Sequence, residues 1–193
     1  MSEKITPDLS GVLDAARSRH GFVMGLAGWS GSGKTTLAEK LIAALTARGL
    51  DIATIKHAHH MFDADTPGKD SHRHRTAGSR QVIVSSKVRS VLFTENRDHG
   101  EARLEDLLDR LVPADIVIVE GYKREPIPKI EVFRTETGKP SLFPDDDRVI
   151  AVATDDPSSL PATTLPILDL NDIDAISAHV CRLAGRDDLA EAS

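Results

Sequence analysis

GWSGSGKT, residues 28–35, is the stretch whose reading decides the fold. It matches G-x-x-x-x-G-K-[ST] at every fixed position. Its glycines let the backbone curl tightly, so that successive N–H groups point inward at phosphate oxygens. Ser30, Gly31, Ser32, Gly33 and Thr36 complete the expected cradle. Lys34 is placed to reach the β and γ phosphates as a point charge, and the Thr35 hydroxyl to bind the magnesium that bridges them. A helix opening at Lys34 adds its positive dipole end. The fixed positions alone match by accident in about one chain in a hundred of this size. The context is more selective. An apolar run, FVMGLA at 22–27, lies immediately before as a buried strand. An amphipathic run follows at 34–48, with Leu37, Leu41, Ile42 and Leu45 at helical spacing and Gly49 as its stop.

Working outward, residues 11–20 suit a short first helix, and DIATIK at 51–56 a second strand. A polar stretch over 57–79 reads as loop, with Pro67 and Gly68 marking a turn. Residues 81–85 and 90–93 read as short strands. Asp98 with Glu101 three positions later resembles a capping box opening a helix that carries Leu104, Leu107, Leu108 and Leu111. Ile116 to Val119 reads as a central strand, 130–133 and 149–153 as further strands, and 173–183 as a last amphipathic helix. The alternation predicts an α/β fold of P-loop NTPase type: a mostly parallel twisted sheet with helices on both faces. The expected organisation is an N-terminal extension at 1–20, one nucleotide-binding domain at 21–185 and a frayed tail at 186–193.

The 193 residues suffice for a substantial core. The net charge of −6 argues against coating nucleic acid or anionic membranes, both of which need a basic footprint. The single cysteine, Cys181, excludes an intrachain disulfide and a multi-cysteine zinc site, and suits a small buried hydrophobe. No apolar run approaches the roughly 20 residues that cross a bilayer. The first ten residues do not read as a secretory signal, so the chain is expected to be cytoplasmic.

A phosphate loop of this type requires a carboxylate at a neighbouring strand end to hold magnesium or its water. Asp115 and Glu120 flank the apolar run IVIV. Ligands gather at the carboxyl ends of parallel strands, so Glu120 lies on the correct edge and Asp115 on the opposite one. No Asn-Lys-x-Asp tetrapeptide supplies a guanine reader. Asp65-Thr66-Pro67-Gly68 fits a D-x-x-G switch pattern, but no apolar strand leads into it. Asp155, just past the strand at 149–153, is the substitute: its carboxylate suits the paired donors of guanine N1 and N2.

His57, His59, His60, His72 and His74 fall within eighteen residues, five of the eight histidines in the chain. Lys69, Arg73, Arg75 and Arg80 accompany them. Three readings stand: an anion-binding segment, a metal site, or a plain polar loop.

Four blocks together resemble the molybdopterin-guanine dinucleotide biosynthesis adaptor (MobB) family: GWSGSGKTTL, IKHAHHMFDADTPGKDSHRHRTAG, DIVIVEGYKREPIPKIEVFR and VIAVATDD. The resemblance spans about 22–179, and its middle two blocks are the diagnostic ones. It implies GTP and Mg²⁺ as cofactors, weak hydrolysis at best, and a homodimer. It also implies action beside the guanylyltransferase MobA, which joins GMP to molybdopterin. Ser30 to Thr36 match the phosphate cradle and Glu120 the acidic strand end. His57, Asp65, Lys69 and Asp70 match the second block. Gly121, Tyr122, Lys123 and Lys129 match the third, which implies that they face the anionic pterin or the partner.

The rivals are a small-molecule kinase with an arginine lid from Arg73, Arg75 and Arg80, and a metallochaperone GTPase using the histidines. A purely structural partner protein is opposed by the intact Lys34-Thr35 pair.

Overall fold

The computed structural model describes residues 14, 15, 17–58 and 62–191. Residues 11–13 and 16 of the helix expected at 11–20 lie outside them, as do His59 and His60. The first strand, β1 (Phe22–Ala27), is buried along nearly its whole length. A tight loop then leads into α1 (Lys34–Ala47), which buries Leu37, Leu41 and Leu45. The chain continues through β2 (Ile52–Lys56), α2 (Asp70–Thr76), β3 (Gln81–Ser85), β4 (Ser90–Thr94) and α3 (Leu104–Leu108). After these come β5 (Ile116–Glu120), β6 (Lys129–Phe133), β7 (Val149–Thr154), β8 (Ile167–Asp169), α4 (Ile173–Leu183) and α5 (Asp187–Ala190).

Six strands form one sheet in the order β2-β5-β1-β6-β7-β8, and every pairing in it is parallel. Alternation along the strands splits the core between two faces. Met24, Leu26, Ile116, Ile118, Ile130 and Val132 meet Leu41 and Leu45 of α1 and Ile176, Val180 and Cys181 of α4. On the other face Val23, Val117 and Val119 meet Leu104 and Leu108 of α3. Cys181 is buried, as a small apolar residue.

Where a single domain is expected over 21–185, Ala58–Arg103 forms a compact unit of its own. It holds α2 and the antiparallel hairpin β3-β4, which is a separate sheet. The expected loop over 57–79 thus contains a short helix. Arg75 pins this region, donating to Glu95 at 2.6 Å, Asp65 at 2.8 Å and Asp63 at 3.0 Å. These hydrogen bonds, those to Asp63 first, hold the guanidinium well above its ordinary pKa.

Three further features differ from the expected pattern. The Asp98–Glu101 capping box does not open a helix. Arg97 and Gly100 take φ of 50° and 73°, residues Arg97–His99 form a 3-10 turn, and α3 starts only at Leu104. The strand β8 was not expected at all. Within the stretch expected as a tail, Leu189 and Ala190 of α5 pack on the α1–α4 core.

Candidate functional site

The carboxyl ends of β1, β2, β5, β6 and β7 share one edge of the parallel sheet, and the phosphate loop leaves from the end of β1. Gly28 must be glycine: its φ is +139° and a Cβ would lie 2.4 Å from the Val132 carbonyl oxygen. Gly33 caps α1 with φ 94°, and no side chain caps the helix, whose first turn carries no acid. The opening amides of a 14-residue helix are therefore left for an outside acceptor. Ser32 is buried and its hydroxyl has no protein partner among the described residues. Ser30, Gly31, Thr35 and Thr36 are exposed on the same curl.

Lys34 folds back over its own loop, donating to the carbonyls of Gly28 at 3.0 Å and Trp29 at 2.8 Å. Burial lowers its pKa; Glu120 opposes that, while Lys56 and Lys123 add to it. The Trp29 ring is fixed by its indole N–H, which donates to the Pro140 carbonyl at 2.7 Å. The Lys123 ammonium lies 4.8 Å from the ring centroid and that of Lys139 6.0 Å. This gathers Lys123, Lys139 and Lys34 around the loop.

Glu120 ends β5, and its side chain is 13% exposed. The Thr35 hydroxyl donates to its Oε1 at 2.8 Å. Lys56, at the end of β2, donates to Thr35 Oγ1 at 3.0 Å and pairs with Glu120 Oε2 at 3.2 Å. A hydroxyl and a carboxylate oxygen thus converge on one cation, which is the donor chemistry a magnesium ion asks for. The residues present fit that ion. Asp115 serves the opposite edge, accepting the Asp51 amide at 2.7 Å.

Asp155 follows β7 and accepts from Arg134 Nη1 at 2.5 Å. Arg134 follows β6, and its Nε lies 3.6 Å from where a Cβ on Gly33 would sit. The pair therefore borders the phosphate loop on its β6–β7 side. Sequence reasoning missed Arg134 and assigned no role to Lys56 or Trp29. The first two are marked only by standing at strand carboxyl ends, the same rule that selected Glu120.

The second and third blocks meet directly. Gly121 has φ +100°, and a Cβ on it would lie 2.8 Å from that of His57. The His57 and Tyr122 rings stand 5.2 Å apart between centroids. Lys129, expected to face a ligand or partner, is instead 2% exposed and bound to Asp146 at 3.0 Å. Among the described residues, which leave out His59 and His60, no group of three or more potential metal ligands converges. Nor does Arg75 suit a lid, since its guanidinium is taken by three carboxylates.

The parallel sheet and its glycine loop define an α/β protein of P-loop NTPase type. Residues 23–155 match the family described as MobB, molybdopterin guanine dinucleotide synthesis protein B, and this chain belongs to that family. It is 45% identical over 161 residues to the molybdopterin-guanine dinucleotide biosynthesis adapter protein of Escherichia coli (strain K12), covering 82% of this chain and 90% of that one. The protein of the same name from Haemophilus influenzae is 45% identical over 159 residues, covering 82% and 86%. A crystal structure of a MobB homolog from Bacillus stearothermophilus superposes with a TM-score of 0.61 at 26% identity, covering 84% of this chain and 97% of that one. Another, of molybdopterin-guanine biosynthesis protein B, gives 0.65 at 21% identity, covering 85% and 99%, which bears on the fold alone. No helix among the described residues is long and apolar enough to cross a membrane.

Proposed function

We propose that this chain is a cytoplasmic GTP-binding adapter of molybdopterin guanine dinucleotide synthesis. It holds Mg²⁺·GTP on the phosphate loop and assists a guanylyltransferase that joins GMP to molybdopterin. The observation that carries the nucleotide part is the convergence of Thr35, Glu120 and a cation beside the uncapped α1 N-terminus. The names of its 45% identical relatives support the pathway.

In this reading the amides of Ser30 to Thr36 and the Lys34 ammonium bind the phosphates. Thr35 and Glu120 are the residues that would hold the metal. A magnesium ion bound there would supply charge neutralisation to the phosphates. Asp155 reads guanine N1 and N2, exchanging the Arg134 guanidinium for the base. Hydrolysis is slow, because among the described residues no glutamine stands at the loop to orient water.

The hairpin supports a homodimer. Ile83 is 70% exposed and Val88 92%, with Leu92 paired opposite Ile83. A two-stranded ribbon is marginal in water, and apolar side chains of this kind seek a second surface.

The test is GMP transfer onto molybdopterin by a purified guanylyltransferase, with and without this chain. The native chain with GTP is expected to raise the yield or rate several-fold while turning over little GTP itself. No effect, or rapid GTP consumption tied to a small-molecule acceptor, contradicts the adapter role and favours a kinase.

A further inference from the structure

Lys56 is the cation that Thr35 and Glu120 hold in this structure. Its ammonium is 3.0 Å from the Thr35 hydroxyl oxygen and 3.2 Å from Glu120 Oε2. The third side of the triangle is closed by the 2.8 Å hydrogen bond between Thr35 and Glu120. This geometry is specified by the sheet: Lys56 and Glu120 are direct register partners on β2 and β5. Side chains at paired positions of neighbouring strands point to the same face and lie close enough to interact. The Lys56 side chain remains 55% exposed, so it is not locked in by packing and can leave.

We propose that Lys56 is a built-in counter-cation of the phosphate site: its ammonium takes the position between Thr35 and Glu120 that a divalent ion would take, and there binds polyphosphate when no divalent ion is present. The proposal rests on the phosphate-loop reading but not on guanine recognition. A lysine ammonium is a compact point charge with three donors. Held by Thr35 and Glu120, it has donor capacity left for a phosphate oxygen. A divalent ion binds the same oxygen pair more strongly and displaces it into solvent. Lys56 is therefore expected to matter greatly without magnesium and little with it. A lysine that merely adds positive potential would matter in both conditions.

The experiment uses the full chain and two probes, GTP and inorganic tripolyphosphate, each titrated in excess Mg²⁺ and in EDTA, with ATP as the control for the base. Trp29 is the single tryptophan and sits on the phosphate loop, so its fluorescence reports binding. For Lys56→Met, affinity in EDTA is expected to fall about tenfold or more for both probes, while affinity in Mg²⁺ changes by less than about threefold. Lys56→Arg, which keeps the charge, is expected to recover part of the loss. Thermal melts of both variants should match the wild type, since the side chain lies mostly in solvent.

Equal losses in Mg²⁺ and EDTA overturn the proposal, because Lys56 then acts as a general phosphate ligand. No loss in either condition overturns it too. Tripolyphosphate tracking Lys56 while GTP shows no advantage over ATP would leave this proposal standing and remove the guanine reading. Failure of the wild type to bind tripolyphosphate in either condition removes both.

Discussion

Replacing Lys34 with alanine is expected to weaken Mg²⁺·GTP binding by about a hundredfold or more without harming the fold. The two effects separate because the ammonium is a liability until a polyphosphate arrives. Its hydrogen bonds go only to the Gly28 and Trp29 carbonyls of its own loop. Burial depresses its pKa, Glu120 partly offsets this, and Lys56 and Lys123 deepen it. A lysine with a depressed folded pKa destabilises the fold while protonated, and that cost is relieved as pH rises from the folded value to the unfolded one. At neutral pH the native chain bears this cost and Lys34→Ala does not. Thermal melts should therefore show the variant at least as stable as the native chain, while titration shows it unable to hold the nucleotide. A variant that unfolds, or one that binds GTP as the native chain does, contradicts this account of the loop.

The second large effect comes from a residue that touches no ligand. Glu131 is fully buried in β6, and its two oxygens accept the amides of Leu142 at 2.7 Å and Phe143 at 2.9 Å. Burial pushes its carboxyl up, and those two donations pull it back. The segment it anchors also presents the Pro140 carbonyl that fixes the Trp29 ring. Glu131→Ala leaves two amides without their acceptor and opens a cavity, for a cost of about 3–5 kcal/mol. In a chain of this size that lowers the melting temperature by about 10 °C. Trp29 fluorescence should shift as its anchor loosens. Glu131→Gln keeps one acceptor oxygen and should fall between the two. A melt of Glu131→Ala within a degree or two of the native chain would show that the 140–143 segment is held by something else.

What could be read from the chain alone follows the range of the interactions involved. The strand–loop–helix over 22–47 is written in consecutive residues, with strand burial, obligatory glycines and a 3.6-residue apolar period. Glu120 was placed by a rule about strand ends. Its contact with Lys56 needed the register of β2 against β5, which no local pattern carries. Lys129 shows the opposite failure. The resemblance implies that it faces the pterin or the partner, yet it is buried because Asp146, seventeen residues on, comes back to meet it. The helix α2 was missed because its residues, DSHRHRT, have no apolar stripe. Arg75 and its carboxylates secure that region instead. Residues 167–169 were missed because three residues carry no measurable alternation. Arg134 stands between Gly33 and Asp155 only through the pairing of β6 with β7, which no local pattern carries.

The most direct test of the central claim is calorimetric titration of the native chain with GTP and with ATP, both in excess magnesium. The phosphate loop and a guanine-reading Asp155 predict saturable GTP binding at least about tenfold tighter than ATP. Equal affinities, a preference for ATP, or no heat with either nucleotide would contradict it.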